Sequence, residues 1–240
     1  MSIAEKTLQL KQDFDDVYEA GKKAQYDEFW DSYQENGTRT NYNYAFYGRG
    51  WTNKTFNPQY DIMPLTANFM FSDARNLTGD LDELIKKQGI KFDTSKCTTF
   101  TNFANSAIGI TKFPPIDLTS VTTVMGNTNS FSYSTGLIEL EIIITSTTPF
   151  MNTTFNRCDS LKKLRITGTI GQNGFDIHWS TKLSADSLKS IVNALSTTTT
   201  GLTVTLPSTA QANYEAEHGE GSWDSLTAGR NNWTIAYLSS

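Results

Sequence analysis

Two doublets of opposite charge stand 24 residues apart: Glu139 and Glu141, then Lys163 and Arg165. Each doublet alternates with apolar residues, Leu140 and Ile142 in the first and Leu164 and Ile166 in the second. On extended backbone that spacing sends the charges to one face and the apolar side chains to the other. If the two strands are lateral neighbours, Glu139 lies beside Lys163 and Glu141 beside Arg165. Asp117, from Ile116-Asp117-Leu118, would continue the column on one side, and Thr203 or Thr205 on the other. Opposite charges in such a row can simply pair, at about 0.2–1 kcal/mol each, and keep an open face soluble. They can also meet a ligand. Pairing explains the doublets locally, and the face they occupy is the candidate binding surface.

A second group is aromatic. Tyr42, Tyr44, Phe46, Tyr47, Trp51, Phe56 and Tyr60 crowd one stretch, interleaved with Asn, Gly and Arg49. Flat rings beside amide side chains suit a sugar or a peptide, which makes Tyr42, Tyr44, Tyr47 and Trp51 a candidate platform. The same rings would serve as a cap over the exposed end of a repeat core, the reading the architecture favours. Both readings stay open at this point.

Catalytic constellations are not visible. The two histidines, His178 and His218, have no second ligand at metal spacing. His178, in Asp176-Ile-His-Trp179, reads as a structural histidine on an extended, partly buried segment. The run around Glu215, Glu217, His218 and Glu220 reads as a solvated connection. Asp13-Phe-Asp-Asp16 lacks the turn glycine and distal glutamate of a calcium loop. Gly168, Gly171 and Gly174 follow a strand without the spacing of a dinucleotide fingerprint, and there is no Gly-x-Ser-x-Gly and no phosphate loop. Cys97 and Cys158 stand at different phases of the pattern described below, so they read as two small buried side chains and not a disulfide. Asn-x-Thr triplets at Asn36, Asn53, Asn76, Asn152 and Asn232 are what an Asn- and Thr-rich chain contains by chance. No metal, no cofactor and no enzymatic activity are expected.

The elements that must position the charged face carry a repeated pattern. Phe131, Leu137, Leu140 and Ile142 recur in register as Phe155, Leu161, Leu164 and Ile166. Phe71 to Leu77 keeps the opening half, and Phe103 to Ile108 keeps it with one residue deleted. The anchor phenylalanines are 32, 28 and 24 residues apart. Self-similarity at this period predicts a solenoid. Ile90–Phe92, Ile116–Leu118, Glu139–Ile144, Lys163–Ile166, Leu202–Leu206 and Trp233–Tyr237 read as strands. Asp80 and Ser184 read as N-caps of two helices, the first stopped at Gly89. A polar connection with helical character spans Gln211 to His218. Upstream, Ile3, Thr7, Leu10, Phe14, Val17, Gly21 and Ala24 lie on one stripe of a helix that runs to about Tyr33, docked on the chain or paired with a copy of itself. The division expected is 1–60 for helix and aromatic segment, and 61–240 for the repeat body.

The chain has 240 residues, a net charge of −5 and a charged share of 19%. That balance argues against non-specific binding to nucleic acid or an anionic membrane. No apolar run approaches a membrane span, and Met1-Ser-Ile-Ala-Glu-Lys6 does not read as a secretory signal, leaving localisation open. Phe155-Asn-Arg-Cys-Asp-Ser-Leu161-Lys-Lys-Leu164-Arg-Ile166 resembles the BspA-type leucine-rich repeat. Lys182 through Leu206, then Trp233-Thr-Ile235, resembles the terminal repeat of such proteins. Tyr26-Asp-Glu-Phe-Trp30 through Thr40 to Phe46 resembles the leader before such repeats in some bacterial and prophage-encoded proteins. The resemblance implies a right-handed curved solenoid with one short parallel strand per repeat, and recognition of a protein or surface glycan. It carries over no set of functional residues. The alternative is a structural component of a phage particle or surface assembly, joined through the N-terminal helix.

Overall fold

A computed structural model of the protein describes residues 39–58, 60–122 and 129–239. The expected N-terminal helix lies outside the described residues. Five short strands form one parallel sheet: β1 (Gly79–Asp80), β2 (Ile110–Lys112), β3 (Ile116–Asp117), β4 (Glu139–Ile143) and β5 (Lys163–Thr167). β2 and β3 share one edge of β4, because Phe113-Pro114-Pro115 interrupts what would otherwise be one strand: proline has no N–H to give to a ladder. β5 takes the other edge of β4 in unbroken register, Glu139 to Lys163 through Ile143 to Thr167. Two further parallel strands, β6 (Leu202–Pro207) and β7 (Trp233–Leu238), form a separate pair.

The helices are α1 (Leu81–Lys87), α2 (Ala185–Ala194), α3 (Ala210–His218) and α4 (Ser222–Thr227), with a 3-10 turn at Ala228–Arg230. Asp80 caps α1 through Glu83 N–H, and Ser184 caps α2 through Ser187 N–H, as the sequence pattern predicts. β2 and α4 were not expected, since Ile-Thr-Lys is too short to show a period. The strand expected at Ile90–Phe92 reduces to one bridge, Phe92 to Ile62.

The anchor phenylalanines form a column in space. Ring centroids lie 5.3 Å apart for Phe71 and Phe103, 6.0 Å for Phe103 and Phe131, and 5.8 Å for Phe131 and Phe155. Phe46 precedes this column at 5.0 Å from Phe71, and Phe175 follows it at 5.5 Å from Phe155. A second backbone ladder runs beside the rings: Phe46 N–H donates to Met70 carbonyl at 2.7 Å, Phe71 to Phe103 at 2.7 Å, and Phe131 to Thr154 at 2.9 Å. Leu140, Ile142, Leu164 and Ile166 close the core from the sheet side.

Amides and glycines set how closely neighbouring segments stack. Asn43 Oδ1 accepts from Asn68 N–H at 2.8 Å, and Asn68 Oδ1 accepts from Thr101 N–H at 2.9 Å. Gly168, Gly171 and Gly174 belong to this stacking: a Cβ at each would fall 2.0–2.4 Å from the carbonyl oxygens of Ile144, Ser146 and Phe150. Backbone passes backbone there, which only glycine permits. Asn53, Asn76 and Asn232 all give their amide nitrogens to backbone carbonyls. Those three triplets therefore carry structural asparagines.

Candidate binding cleft on the sheet face

The alternation in β4 and β5 places the charges where their spacing requires. Leu140, Ile142, Leu164 and Ile166 are buried, and Glu139, Glu141, Lys163 and Arg165 point outward. Glu139 lies across from Lys163 and Glu141 across from Arg165. The ion pairs are loose: Lys163 Nζ is 3.7 Å from Glu139, and Arg165 Nε is 3.9 Å from Glu141. Glu139 has a tighter partner on its other side, Lys112 Nζ at 2.9 Å. The hydrogen bond from Lys112, joined by the charges of Lys112 and Lys163, holds the Glu139 carboxyl below its ordinary range against partial desolvation. The same bond raises Lys112. Lys163 and Arg165 keep 71% and 74% of their side-chain surface in water, so their pairs contribute little to stability and leave both cations available.

Two placements differ from expectation. Asp117 pairs in register with Ile143, one row beyond Glu141, so it continues the face but not the charged rows. Its carboxylate accepts from the N–H and hydroxyl of Thr119. Thr203 and Thr205 are not beside β5 at all, because β6 pairs with β7. The outer edge of β5 is taken by α2. Ser187 Oγ accepts from Leu164 N–H at 2.9 Å and donates to Lys162 carbonyl at 3.0 Å, while Ser190 Oγ accepts from Ile166 N–H at 2.8 Å. Helix hydroxyls thus stand in for a neighbouring strand and satisfy an edge that would otherwise be open.

No family model, curated protein or solved structure matches this chain.

The helix turns the charged face into a cleft. Glu139, Glu141, Lys163 and Arg165 line it from the sheet, and Ser184, Asp186, Ser187 and Ser190 from α2, around about 410 Å³ of open space. The helix side of this site was not read from the sequence. Its signal was the recurrence of serine at 184, 187 and 190, which puts three hydroxyls along one side of the helix.

The aromatic candidates divide. Tyr42 and Trp51 are core residues, Trp51 packed edge-on to Phe46 at 5.5 Å, and neither offers a face to a ligand. Tyr42 alternates inward with Phe46 on the segment 42–48 that bonds to residues 66–72, and Trp51 follows that segment, packed on Phe46. Tyr44 and Tyr47 are 57% and 50% exposed, with Tyr44 stacked on Phe69 at 4.8 Å. His178 Nδ1 lies 2.6 Å from Asp176 Oδ1 and its ring packs against Trp179, away from the cleft. Cys97 and Cys158 are free and buried. Burial pushes the Cys97 thiol up to about 11 and Cys158 higher still, so both stay protonated and unreactive. Among the described residues no cluster of His, Cys, Asp and Glu is arranged to hold a metal ion, and no helix is long and apolar enough to cross a membrane.

Proposed function

We propose that this chain is a non-enzymatic recognition protein with a leucine-rich-repeat-like solenoid body of the BspA type. Its ligand site is the cleft between β4, β5 and α2, and its ligand is a polypeptide segment carrying both signs of charge. The observation that supports this is the loose pairing in the cleft. Two exposed cations sit 3.7 and 3.9 Å from their carboxylates, beside an acidic helix turn at Asp186. A ligand that brings its own carboxylate and ammonium groups can exchange partners with these pairs at small cost, and mixed charge gives register and selectivity more than raw affinity.

The test is binding of a fluorescent library of mixed-charge peptides, followed by Lys163→Glu and by the double exchange Glu141→Arg with Arg165→Glu, a pair that has no second partner to upset among the described residues. Lys163→Glu should weaken a bound peptide about tenfold or more. The double exchange restores internal pairing with reversed polarity and should select a different peptide set. If no peptide binds above background, or if both variants bind the original set unchanged, the cleft is not the site. A glycan reading is favoured by one separate feature, the exposed Tyr44 and Tyr47 beside Phe69. Loss of glycan-array signal in Tyr44→Ala with Tyr47→Ala would move recognition there.

A further inference from the structure

β7 ends differently from the other strands. Elsewhere side chains close open backbone: Ser187 and Ser190 on the edge of β5, and Asn53, whose carboxamide donates to the Thr78 carbonyl and accepts from the Thr78 N–H, both at 2.8 Å. β7 pairs with β6 along its whole length, from Leu202 with Trp233 to Pro207 with Leu238. Among the described residues none pairs with its opposite edge. The strand reads Trp-Thr-Ile-Ala-Tyr-Leu, without a charge, a proline or a bulge, the devices that ordinarily keep an edge from pairing. Tyr237 and Leu238 are exposed on it.

We infer that β7 is an association edge, and that its occupant is β7 of a second copy, added antiparallel about a two-fold axis normal to the sheet. The absence of charge is compatible with that occupant. In a two-fold pair each strand meets its own sequence, so any charge on it is opposed by a like charge close by. Residues 231–239 carry none. The nearest charged residue in sequence, Arg230, is held on the carbonyls of Val192 and Asn193, at 2.8 and 3.3 Å. The edge is therefore compatible with itself, whereas a charged partner strand would find nothing to answer it. Joining two copies makes one four-stranded sheet from two β6–β7 pairs and covers Tyr237 and Leu238. Because the contact is two-fold it closes on itself and does not propagate into a fibre. It is independent of the cleft, so it stands or falls separately from the peptide-binding reading.

Sedimentation of the full chain across low to high micromolar concentration tests this, with amide exchange by mass spectrometry as the second readout. A monomer–dimer equilibrium is expected, with β7 amides protected in the dimer and released on dilution. Thr234→Lys puts a charged side chain on the edge of each copy, a device that keeps edge strands from pairing, and should weaken the dimer at least about tenfold. Leu238→Lys is the companion variant, and circular dichroism checks that both keep the fold. A chain that is monomeric at every concentration overturns the inference. So does a dimer that ignores both lysines, or one whose β7 amides exchange freely and which Phe14→Lys on the N-terminal stripe dissolves.

Discussion

Ser187→Ala tests how the wall of the cleft is held. The Ser187 hydroxyl accepts from Leu164 N–H at 2.9 Å, donates to Lys162 carbonyl at 3.0 Å, and lies 2.9 Å from Ser184 Oγ. Its side chain is buried, so water does not replace it. Alanine leaves the Leu164 N–H without a partner inside the protein, at a cost of about 1–3 kcal/mol. Alanine is also the better helix former by about 0.5 kcal/mol, which offsets part of that loss. The net expectation is a destabilisation of about 0.5–2.5 kcal/mol, the first value minus the second. Ser190→Ala should cost less, about 0.5–1 kcal/mol, because Ser190 is half-buried and water can reach Ile166 N–H. Urea unfolding followed by tryptophan fluorescence gives the two values, and amide exchange reads Leu164 and Ile166 individually. Lys189→Ala, on the exposed face of α2, is the control and should change little. If Ser187→Ala costs less than about 0.5 kcal/mol and leaves Leu164 exchange unaltered, the helix is not what closes the edge of β5.

The remaining predictions concern the body. Phe131→Ala removes a ring packed against Phe103, Phe113 and Phe155 and should cost about 3–5 kcal/mol in a denaturant titration, as a cavity in a stacked column. Gly136→Ala would put a Cβ 2.1 Å from the Ile108 carbonyl oxygen and should destabilise by at least about 1–3 kcal/mol in the same titration. Asp93 accepts from Lys91 Nζ at 2.7 Å and from Ser95, and these bonds bring its carboxyl from 3.8 down to about 2. A depressed carboxyl stabilises the fold above its unfolded value and loses that contribution as pH falls from about 4 through about 2, a term on the order of 1–2 kcal/mol. Asp93→Asn should flatten the acid limb of the stability curve over that window by the same amount.

How much of the molecule was legible depends on how much a local period can say. Glu139–Ile143 and Lys163–Thr167 were legible because five residues of strict alternation with one buried face determine both strand and register; a slip of one residue would turn Leu140 and Leu164 to solvent. Lys112 was invisible as a partner of Glu139, since Ile110–Lys112 is too short to show a period and Pro114-Pro115 separates it from the strand that was legible, Ile116–Asp117. Tyr42 and Trp51 looked like Tyr44 and Tyr47 because composition has no direction. The ladder from residues 42–48 to 66–72 separates Tyr42 from Tyr44 and Tyr47, and Trp51 is buried by its packing on Phe46.

The position of α2 was the largest surprise at the site, and it has a physical basis. Lys182-Leu-Ser-Ala-Asp-Ser-Leu188 follows β5 where another alternating strand would continue the sheet. A strand there would have carried its own outward row and left the face flat. Instead the chain enters a helix whose buried side includes Ser187 and whose flank includes Ser190, so two hydroxyls meet two N–H groups of β5 that a strand would have met with carbonyls. The helix lies beside the last charged strand, with its acidic first turn at Asp186 bordering Lys163 and Arg165. The step from a soluble, self-paired surface to a cleft that can exchange ion pairs with a ligand therefore rests on the same two serines that seal the edge. A Ser187→Ala, Ser190→Ala double variant should weaken peptide binding along with stability, whereas Phe131→Ala should lower stability with little effect on affinity in the fraction that remains folded.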